Sequence, residues 1–123
     1  MENRIKVGIT QGDINGIGYE VIIKTLADNQ LLDLCIPVIY GSPKVAAFHR
    51  KTLEIGNFSL NTIKSASEAH TKRVNIINCN DEEIKVELGI PTKTAGEAAF
   101  LALEKATEEL KNGLIDVLVT API

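Results

Sequence analysis

The stretch IKVGITQGDINGIGYE, residues 5–20, contains the signals that decide the fold. Its first six residues are rich in β-branched side chains, and a Gln-Gly-Asp sequence follows them, so we predict a strand over residues 5–10. Apolar side chains at helical spacing over residues 19–32 predict a helix directly after the glycines. The stretch is therefore a strand, a glycine-rich loop and a helix, an order typical of layered α/β folds.

Further strands are predicted at residues 34–40, 58–63 (the weakest), 74–79 and 114–120. Pro37 counts against the start of the first of these, because a proline cannot donate a hydrogen bond to a central ladder. The last run is almost continuously apolar, which is typical of a strand covered on both faces. We therefore expect the strands at residues 5–10 and 114–120 both to lie inside a mainly parallel sheet.

Two more helices are predicted between these strands. Pro43 suits the first turn of one helix. A longer helix is predicted over residues 95–112, where Thr94-x-x-Glu97 is typical of a capping box and Gly113 is suited to end the helix. Its predicted buried side chains are Ala99, Ala102, Leu103, Ala106 and Leu110. The fold class is therefore α/β, a three-layer α/β/α arrangement around a mainly parallel sheet, with residues 1–123 forming one unit.

Composition excludes several classes of function. Of the 123 residues, 45% are hydrophobic and 24% charged, which excludes a disordered tail. The net charge of −3, without a long basic stretch, argues against nucleic-acid binding. The sequence contains neither an apolar run long enough to span a membrane nor a secretion signal, so we expect a cytoplasmic protein. Cys35 and Cys79 form no C-x-x-C pair and are predicted to be reduced thiols that act as small buried apolar groups.

The glycine-rich loop, residues 12–18, is the strongest candidate for a binding site. It joins the carboxyl end of a strand to the start of a helix, where free N–H groups bind ligands in open α/β sheets. Its spacing, G-x-x-x-G-x-G, matches neither the dinucleotide fingerprint nor the phosphate loop, so a structural turn with Asp13 or Asn15 as a helix cap is the alternative. The last predicted strand ends at the same edge. The candidate cleft residues are Gly12, Asp13, Asn15, Gly16, Gly18 and Thr120.

No other cluster of residues predicts chemistry. His49 and His70 stand apart in charged, helical surroundings, so we predict two surface residues rather than a metal site. The basic residues 49–51 and 72–73 and the acidic Asp81-Glu82-Glu83 are predicted to be solvated. We therefore predict neither a catalytic residue nor a metal ligand within this chain.

Two motifs resemble those of the 4-hydroxythreonine-4-phosphate dehydrogenases, NAD-dependent enzymes of pyridoxal phosphate biosynthesis. QGDINGIGYE, residues 11–20, resembles that family's G-D-P-A-G-I-G-P-E, with Ile14 and Tyr19 in place of the usual Pro and Asn15 in place of Ala. TAGEAAFLALEKATEELKNGLIDVLVTAPI, residues 94–123, resembles its long helix followed by D-A-L-V-T-A-P-I-N-K. The resemblance extends over the whole chain but only about the first third of a family member.

The resemblance implies a fold like that of isocitrate and isopropylmalate dehydrogenases, with two α/β domains, of which this chain would be the incomplete first. It implies a homodimeric enzyme that oxidises a small phosphorylated hydroxy acid with NAD, followed by decarboxylation, and that uses a divalent metal (Zn, Mg or Co) as a Lewis acid. The family's metal and substrate ligands lie in segments after residue 123, so residues 1–123 alone are expected to be inactive and to bind neither cofactor nor metal. A free-standing, flavodoxin-like binding module without catalysis is the alternative.

Overall fold

The computed structural model describes residues 4–56, 58–80 and 85–122. Its strands form one parallel sheet in the order β3-β4-β2-β1-β5. The strands are β1 (Ile5–Thr10), β2 (Cys35–Gly41), β3 (Asn61–Ile63), β4 (Asn75–Asn78) and β5 (Val117–Thr120). The helices are α1 (Gly18–Leu26), α2 (Pro43–Thr52) and α3 (Lys93–Lys111), with short 3₁₀ helices at Asn29–Asp33 and Ala66–Glu68.

Helices cover both faces of the sheet, which confirms the predicted three-layer α/β/α fold. Buried side chains of α1 and α2 pack with Ile39 and Ile76 in one apolar cluster. Ala102 and Ala106 of α3 pack with Val38, Tyr40 and Ile77 in a second cluster on the other face, whereas Ala95 and Ala98 near the start of α3 join the first cluster. Neighbouring strand residues belong to different clusters because successive side chains of a strand point to opposite faces.

Pro37 lies inside the central strand β2, so the prediction that it weakens this strand was wrong. Its carbonyl oxygen accepts a hydrogen bond from the Asn75 side-chain nitrogen, at 3.1 Å, and therefore faces β4. In a parallel strand the nitrogen and the carbonyl of one residue point toward the same neighbouring strand. Pairing between β2 and β4 begins only at Val38 and Asn75, so the ladder needs no N–H group from Pro37.

β5 forms an edge of the sheet, which corrects the expectation that residues 114–120 lie inside it. The strand is parallel to β1, as predicted, but among the described residues it pairs with β1 alone. Leu118 packs against the cluster under α3, whereas Val117 and Val119 point to the other face and are 41% and 51% exposed. The apolar residues of a strand indicate whether its faces are covered, but they do not indicate whether the strand lies at the centre or at the edge of the sheet.

α3 begins earlier than predicted, because Thr92 and not Thr94 is its N-cap. The Oγ1 atom of Thr92 accepts a hydrogen bond from the Ala95 backbone nitrogen at 3.1 Å, so the predicted capping box is wrong. The residues that α3 buries are mostly small: Ala95, Ala98, Ala99, Ala102, Ala106 and Glu109. The helix face is therefore rotated from the predicted one, and two leucines expected to be buried are partly exposed, Leu103 at 36% and Leu110 at 37%.

The other helix boundaries follow local signals. Pro43 opens α2, as predicted, and Ser42 caps it by accepting a hydrogen bond from the Val45 nitrogen. Gly113 ends α3 with a φ of +74°, the left-handed conformation that favours glycine. The helix predicted over residues 19–32 is divided, because Asp28 caps a separate 3₁₀ helix. Across the described ranges, no helix combines the length and the apolar character needed to cross a bilayer.

Candidate functional site at the carboxyl edge of the sheet

The glycine-rich loop, residues 12–18, lies beside the end of β5. Thr10 pairs with Thr120 at the ends of β1 and β5. Just beyond this pair, the Asp13 backbone nitrogen donates a hydrogen bond to the Pro122 carbonyl oxygen at 3.1 Å. The loop and the end of β5 therefore form one surface at the carboxyl ends of two neighbouring strands.

This position in the sheet is one where ligands commonly bind. The loop leads from β1 into α1 on one face, whereas α3, which leads into β5, covers the other face. Where chain connections change from one face of an open α/β sheet to the other, a crevice opens beyond the carboxyl ends of the strands. The topology therefore favours a binding cleft between the ends of β1 and β5.

Close packing within the chain accounts for two of the three glycines in the loop. Gly12 has a φ of +66°, and a Cβ atom there would lie 2.8 Å from the Ala121 carbonyl oxygen and closer still to that of Pro122. A Cβ atom at Gly18 would lie 2.5 Å from the Gln11 carbonyl oxygen. At half-buried Gly16 the nearest atom would be a side-chain oxygen of Asp13, at 3.1 Å. Gly16 is therefore the glycine of this loop that backbone packing does not require.

Asn15 is 2% exposed and is hydrogen-bonded to residues far away in the chain. Its side-chain nitrogen donates to the Ile90 carbonyl oxygen at 2.8 Å and to Thr92 Oγ1 at 3.2 Å. Its side-chain oxygen accepts from the Glu87 nitrogen at 2.7 Å, and its carbonyl oxygen accepts from the Gly89 nitrogen, also at 2.7 Å. Asn15 therefore fastens the loop to residues 87–92, and its amide is occupied by the protein itself.

Asp13 and Thr120 are the candidate residues whose polar side chains solvent reaches. Asp13 is half-buried, and its Oδ1 atom accepts a hydrogen bond from the Asn15 nitrogen at 3.0 Å. Thr120 is exposed at the end of β5. The N-cap of α1 is Ile17, 59% exposed, which provides no side-chain hydrogen bond. No side chain caps the first turn of α1, and the start of a helix favours an anionic ligand.

A buried polar network that sequence analysis missed supports the loop from below. The side-chain nitrogen of Gln11 donates to the Ala98 carbonyl oxygen at 3.1 Å, and its oxygen accepts from the Tyr19 hydroxyl at 2.6 Å. The hydroxyl oxygen of Tyr19 also accepts from the Ser42 nitrogen at 3.1 Å. Burial raises the pKa of Tyr19 far above its ordinary value, so the hydroxyl keeps its proton. A Cβ atom at Gly41 would overlap this hydroxyl, which explains the glycine there.

His49 is buried beneath the same loop, so the prediction of a surface histidine was wrong. It is 4% exposed, and its Nε2 atom lies 2.7 Å from the Ile14 carbonyl oxygen, to which it donates. Its ring stacks on that of Tyr19, with 5.3 Å between the ring centroids. Burial lowers the pKa of His49, which favours the neutral ring. The missed signal was helical spacing, because His49 follows the buried Val45 by four residues on α2.

The described residues contain no group of three or more His, Cys, Asp or Glu side chains arranged to hold a metal ion. His70 is exposed, as predicted, and the acidic Asp81-Glu82-Glu83 lies outside the described residues. Cys35 and Cys79 are free thiols, both partly buried. Burial raises the pKa of Cys79 to about 12, so this thiol is neutral and unreactive.

A cleft of about 710 Å³ lies elsewhere, between α3 and the ends of β3 and β4. Its charged side chains are of both signs: Lys64, Glu68, Glu104, Lys105 and Glu108. None of the candidate residues lines this cleft. Mixed charges and the absence of a buried, unpartnered group among its described lining residues give it no preference for a ligand class.

Comparison with known protein families identifies the class to which this α/β chain belongs. The family model described as "Pyridoxal phosphate biosynthetic protein PdxA" matches residues 33–123. The chain therefore belongs to the PdxA family. Individual proteins that are similar to this chain confirm the resemblance of its two motifs to the 4-hydroxythreonine-4-phosphate dehydrogenases.

Two relatives illustrate the similarity to dehydrogenases of phosphorylated hydroxy acids. A 4-hydroxythreonine-4-phosphate dehydrogenase of Bacteroides thetaiotaomicron is 59% identical over 123 residues, which are 99% of this chain and 33% of that protein. A Clostridium botulinum protein, provisionally named a D-threonate 4-phosphate dehydrogenase, is 30% identical over 126 residues, 100% of this chain and 37% of that protein. The chain thus spans about a third of the length of these relatives.

Solved structures show the same fold. A 4-hydroxythreonine-4-phosphate dehydrogenase from Burkholderia phymatum matches 97% of this chain and 36% of its own, with 28% identity and a TM-score of 0.87. The corresponding enzyme from Klebsiella pneumoniae matches 98% of this chain and 38% of its own, with 26% identity and a TM-score of 0.84. These similarities confirm the α/β fold that the family resemblance implied.

Proposed function

We propose that this chain is the amino-terminal part of a two-domain, NAD-dependent 4-hydroxythreonine-4-phosphate dehydrogenase. The observation that carries the proposal is the 59% identity to the Bacteroides thetaiotaomicron enzyme along almost the entire chain. In this reaction the carbinol carbon of the substrate transfers a hydride to NAD and the hydroxyl loses its proton. The β-keto acid that results then loses its carboxylate as carbon dioxide.

The chain contributes one wall of the reactant cleft. Both reactants carry phosphate groups, and the first-turn N–H groups of α1 favour an anion at this edge. Gly16 lies two residues before α1 beside the Asp13 side chain, and Thr120 lies at the end of the neighbouring strand. We therefore assign the binding of a phosphorylated reactant to Gly16, the start of α1 and Thr120.

The divalent metal that the resemblance implies does not fit the residues described. His49 is buried and bonded to Ile14, His70 is exposed, and neither belongs to a group of three or more ligand side chains among the described residues. In the proposed enzyme, the metal ligands therefore belong to other segments of a longer polypeptide. We further propose a cytoplasmic homodimer without nucleic-acid or membrane partners, in keeping with the net charge of −3 and the absence of a long basic stretch.

The proposal is tested on the full-length protein that contains this chain. NADH formation is measured with NAD, a divalent metal and either 4-hydroxythreonine 4-phosphate or D-threonate 4-phosphate. We expect NADH and carbon dioxide in equal amounts from the first substrate, and a higher kcat/KM for it than for D-threonate 4-phosphate. No turnover of the first substrate, or a clear preference for the second, would contradict the proposal.

A further inference from the structure

We propose that Asn15 is a positioning residue of this enzyme, an inference that rests on the proposed function. Its side-chain amide holds the glycine-rich loop against residues 87–92, so that the two segments form one wall of the reactant cleft. Neither Asn15 nor its partners need touch a reactant for this role. The amide acts by setting where the loop and the start of α1 lie.

The hydrogen bonds of the Asn15 side chain all reach across the fold. Its three partners, Glu87, Ile90 and Thr92, lie 72 to 77 positions further along the chain. Both N–H groups of the amide donate, and its oxygen accepts. A side chain that is 2% exposed and bonded in this way is fixed in one orientation, and it fixes the backbone on both sides.

Residues 87–92 depend on these bonds because the segment buries little apolar surface. Leu88 and Ile90 are each 53% exposed, so hydrophobic packing does not determine where this segment lies. The hydrogen bonds of Asn15 to Glu87, Gly89 and Ile90 hold the segment in place instead.

The same amide links the starts of two helices, α1 and α3. Thr92 Oγ1 accepts from Asn15 and also from the Ala95 nitrogen, and thereby caps α3. Asn15 itself lies three residues before the start of α1. A shift of the loop therefore moves the first turns of α1 and α3 relative to each other, and α1 begins at the candidate cleft.

An alanine at position 15 removes the amide and is compatible with the backbone conformation of the loop. Ala is the residue usual at this position in the motif that residues 11–20 resemble, so the loop conformation accommodates it. The main-chain hydrogen bond between the Gly89 nitrogen and the Asn15 oxygen does not depend on the side chain. We therefore expect Asn15→Ala to fold, to release residues 87–92 and to bind its reactants more weakly.

The test compares Asn15→Ala with Asn75→Ala in the full-length protein. Asn75 is a suitable control because it is another buried asparagine whose amide holds a loop, but it lies at the start of β4, away from the cleft. For Asn15→Ala we expect the KM of at least one of the two reactants to rise about fivefold or more, with kcat within about twofold. For Asn75→Ala we expect both KM values to be unchanged.

Hydrogen exchange provides a readout that does not depend on activity. In Asn15→Ala, the amides of Glu87 and Gly89 should exchange at least about tenfold faster, because a local opening becomes easier. Unchanged exchange there would overturn the assignment of the hydrogen bonds. If Asn15→Ala does not fold, Asn15→Ser, which keeps one hydroxyl at this position, is measured in the same way.

The kinetic outcomes separate positioning from simple stabilisation. A residue that only stabilises the fold would change the active fraction, so Vmax would fall while both KM values stayed the same. If the wild type is active, that result would overturn the proposed role of Asn15 and leave the proposed function standing. A wild-type protein without dehydrogenase activity would overturn the proposed function and, with it, this inference.

Discussion

Two buried asparagines hold loops at opposite ends of the strands, and they differ in what they connect. Asn75, at the start of β4, is 0% exposed, and its nitrogen donates to the carbonyl oxygens of Pro37, His70 and Arg73. Its side-chain oxygen accepts from the His70 nitrogen at 2.9 Å. Asn75 therefore bonds a loop to the central strand β2, whereas Asn15 bonds two surface segments to each other.

Burial and hydrogen bonding alone do not distinguish the proposed positioning residue Asn15 from the structural residue Asn75. Both amides are saturated, and both are nearly inaccessible to solvent. The difference lies in their location, because Asn15 adjoins the carboxyl ends of β1 and β5, where ligands bind in open α/β sheets. Asn75 lies where β3 and β4 begin, and its loss should affect the fold and not the cleft.

The largest expected loss of stability is for Gly12→Ala, at the cleft. A Cβ atom there would overlap the backbone of residues 121–122, and the φ of +66° is also unfavourable for alanine. We expect the free energy of unfolding of the full-length protein to fall by about 3–4 kcal/mol. Gly113→Ala is the control, since Gly113 has a φ of +74° but open space around it, and should cost about 1 kcal/mol. Equal losses would show that the loop does not need its close contact with residues 121–122.

Asn75→Ala should lower the free energy of unfolding more than Asn15→Ala, although only Asn15→Ala should raise a KM value. Asn75→Ala removes the donor to three carbonyl groups, one of them buried, and the acceptor for the His70 nitrogen and the Asn61 side chain, so we expect a loss of about 2–3 kcal/mol. Asn15→Ala should cost about 1–2 kcal/mol, because water can reach the half-exposed residues 87–92. Denaturant unfolding of both variants measures the difference, and a larger loss for Asn15→Ala would reverse the contrast.

Glu109 provides a pH-dependent test of a structural anchor away from the cleft. It is 3% exposed and accepts hydrogen bonds from the Tyr40 hydroxyl at 2.7 Å, the Ser65 hydroxyl at 2.8 Å and the Ala66 nitrogen at 3.0 Å. Burial alone would raise the pKa of Glu109, but these donors and the Lys105 ammonium group together lower it below its ordinary value of 4.5. The carboxylate therefore stabilises the fold above pH 4.5, and this contribution is lost as the pH falls through the lower folded-state pKa.

Glu109→Gln should remove this contribution, about 2 kcal/mol at neutral pH. The difference in unfolding free energy between wild type and variant should then shrink as the pH is lowered below 4.5. The kinetic constants at neutral pH should not change, as for Asn75→Ala. A constant difference across this pH range would show that the ionised carboxylate is not what stabilises the fold.

The smallest effect is expected for His49, beneath the glycine-rich loop. Because burial lowers the pKa of His49 below 6.5, the unfolded chain takes up a proton more readily than the folded protein. Its neutral ring therefore contributes fully to stability above pH 6.5, and the contribution declines as the pH falls toward the folded-state pKa. His49→Gln can still donate to the Ile14 oxygen but does not titrate. In this variant the unfolding free energy should therefore fall less on acidification than in the wild type, by a difference below about 1 kcal/mol. An unchanged slope between pH 6.5 and 5 would show that His49 does not titrate differently on folding.

Local sequence signals predicted the helices and strands better than they predicted long-range contacts and burial. The bounds of β1 and the roles of Pro43 and Gly113 follow from nearest neighbours in the sequence, and the structure confirms them. The position of Asn15 in the loop was equally visible, but its partners lie more than 70 positions away, and no periodic pattern connects them. The burial of His49 was hidden by its charged neighbours, although its helical spacing from Val45 indicated it.

Hydrogen exchange of the full-length wild-type protein, with and without NAD and 4-hydroxythreonine 4-phosphate, tests the central contrast most directly. The account predicts that the reactants slow the exchange of amides in residues 12–18 and 87–92 and leave those in residues 70–75, around Asn75, unchanged. Equal slowing at both ends of the strands, or no slowing in residues 12–18, would contradict the assignment of the carboxyl edge as the reactant-binding wall.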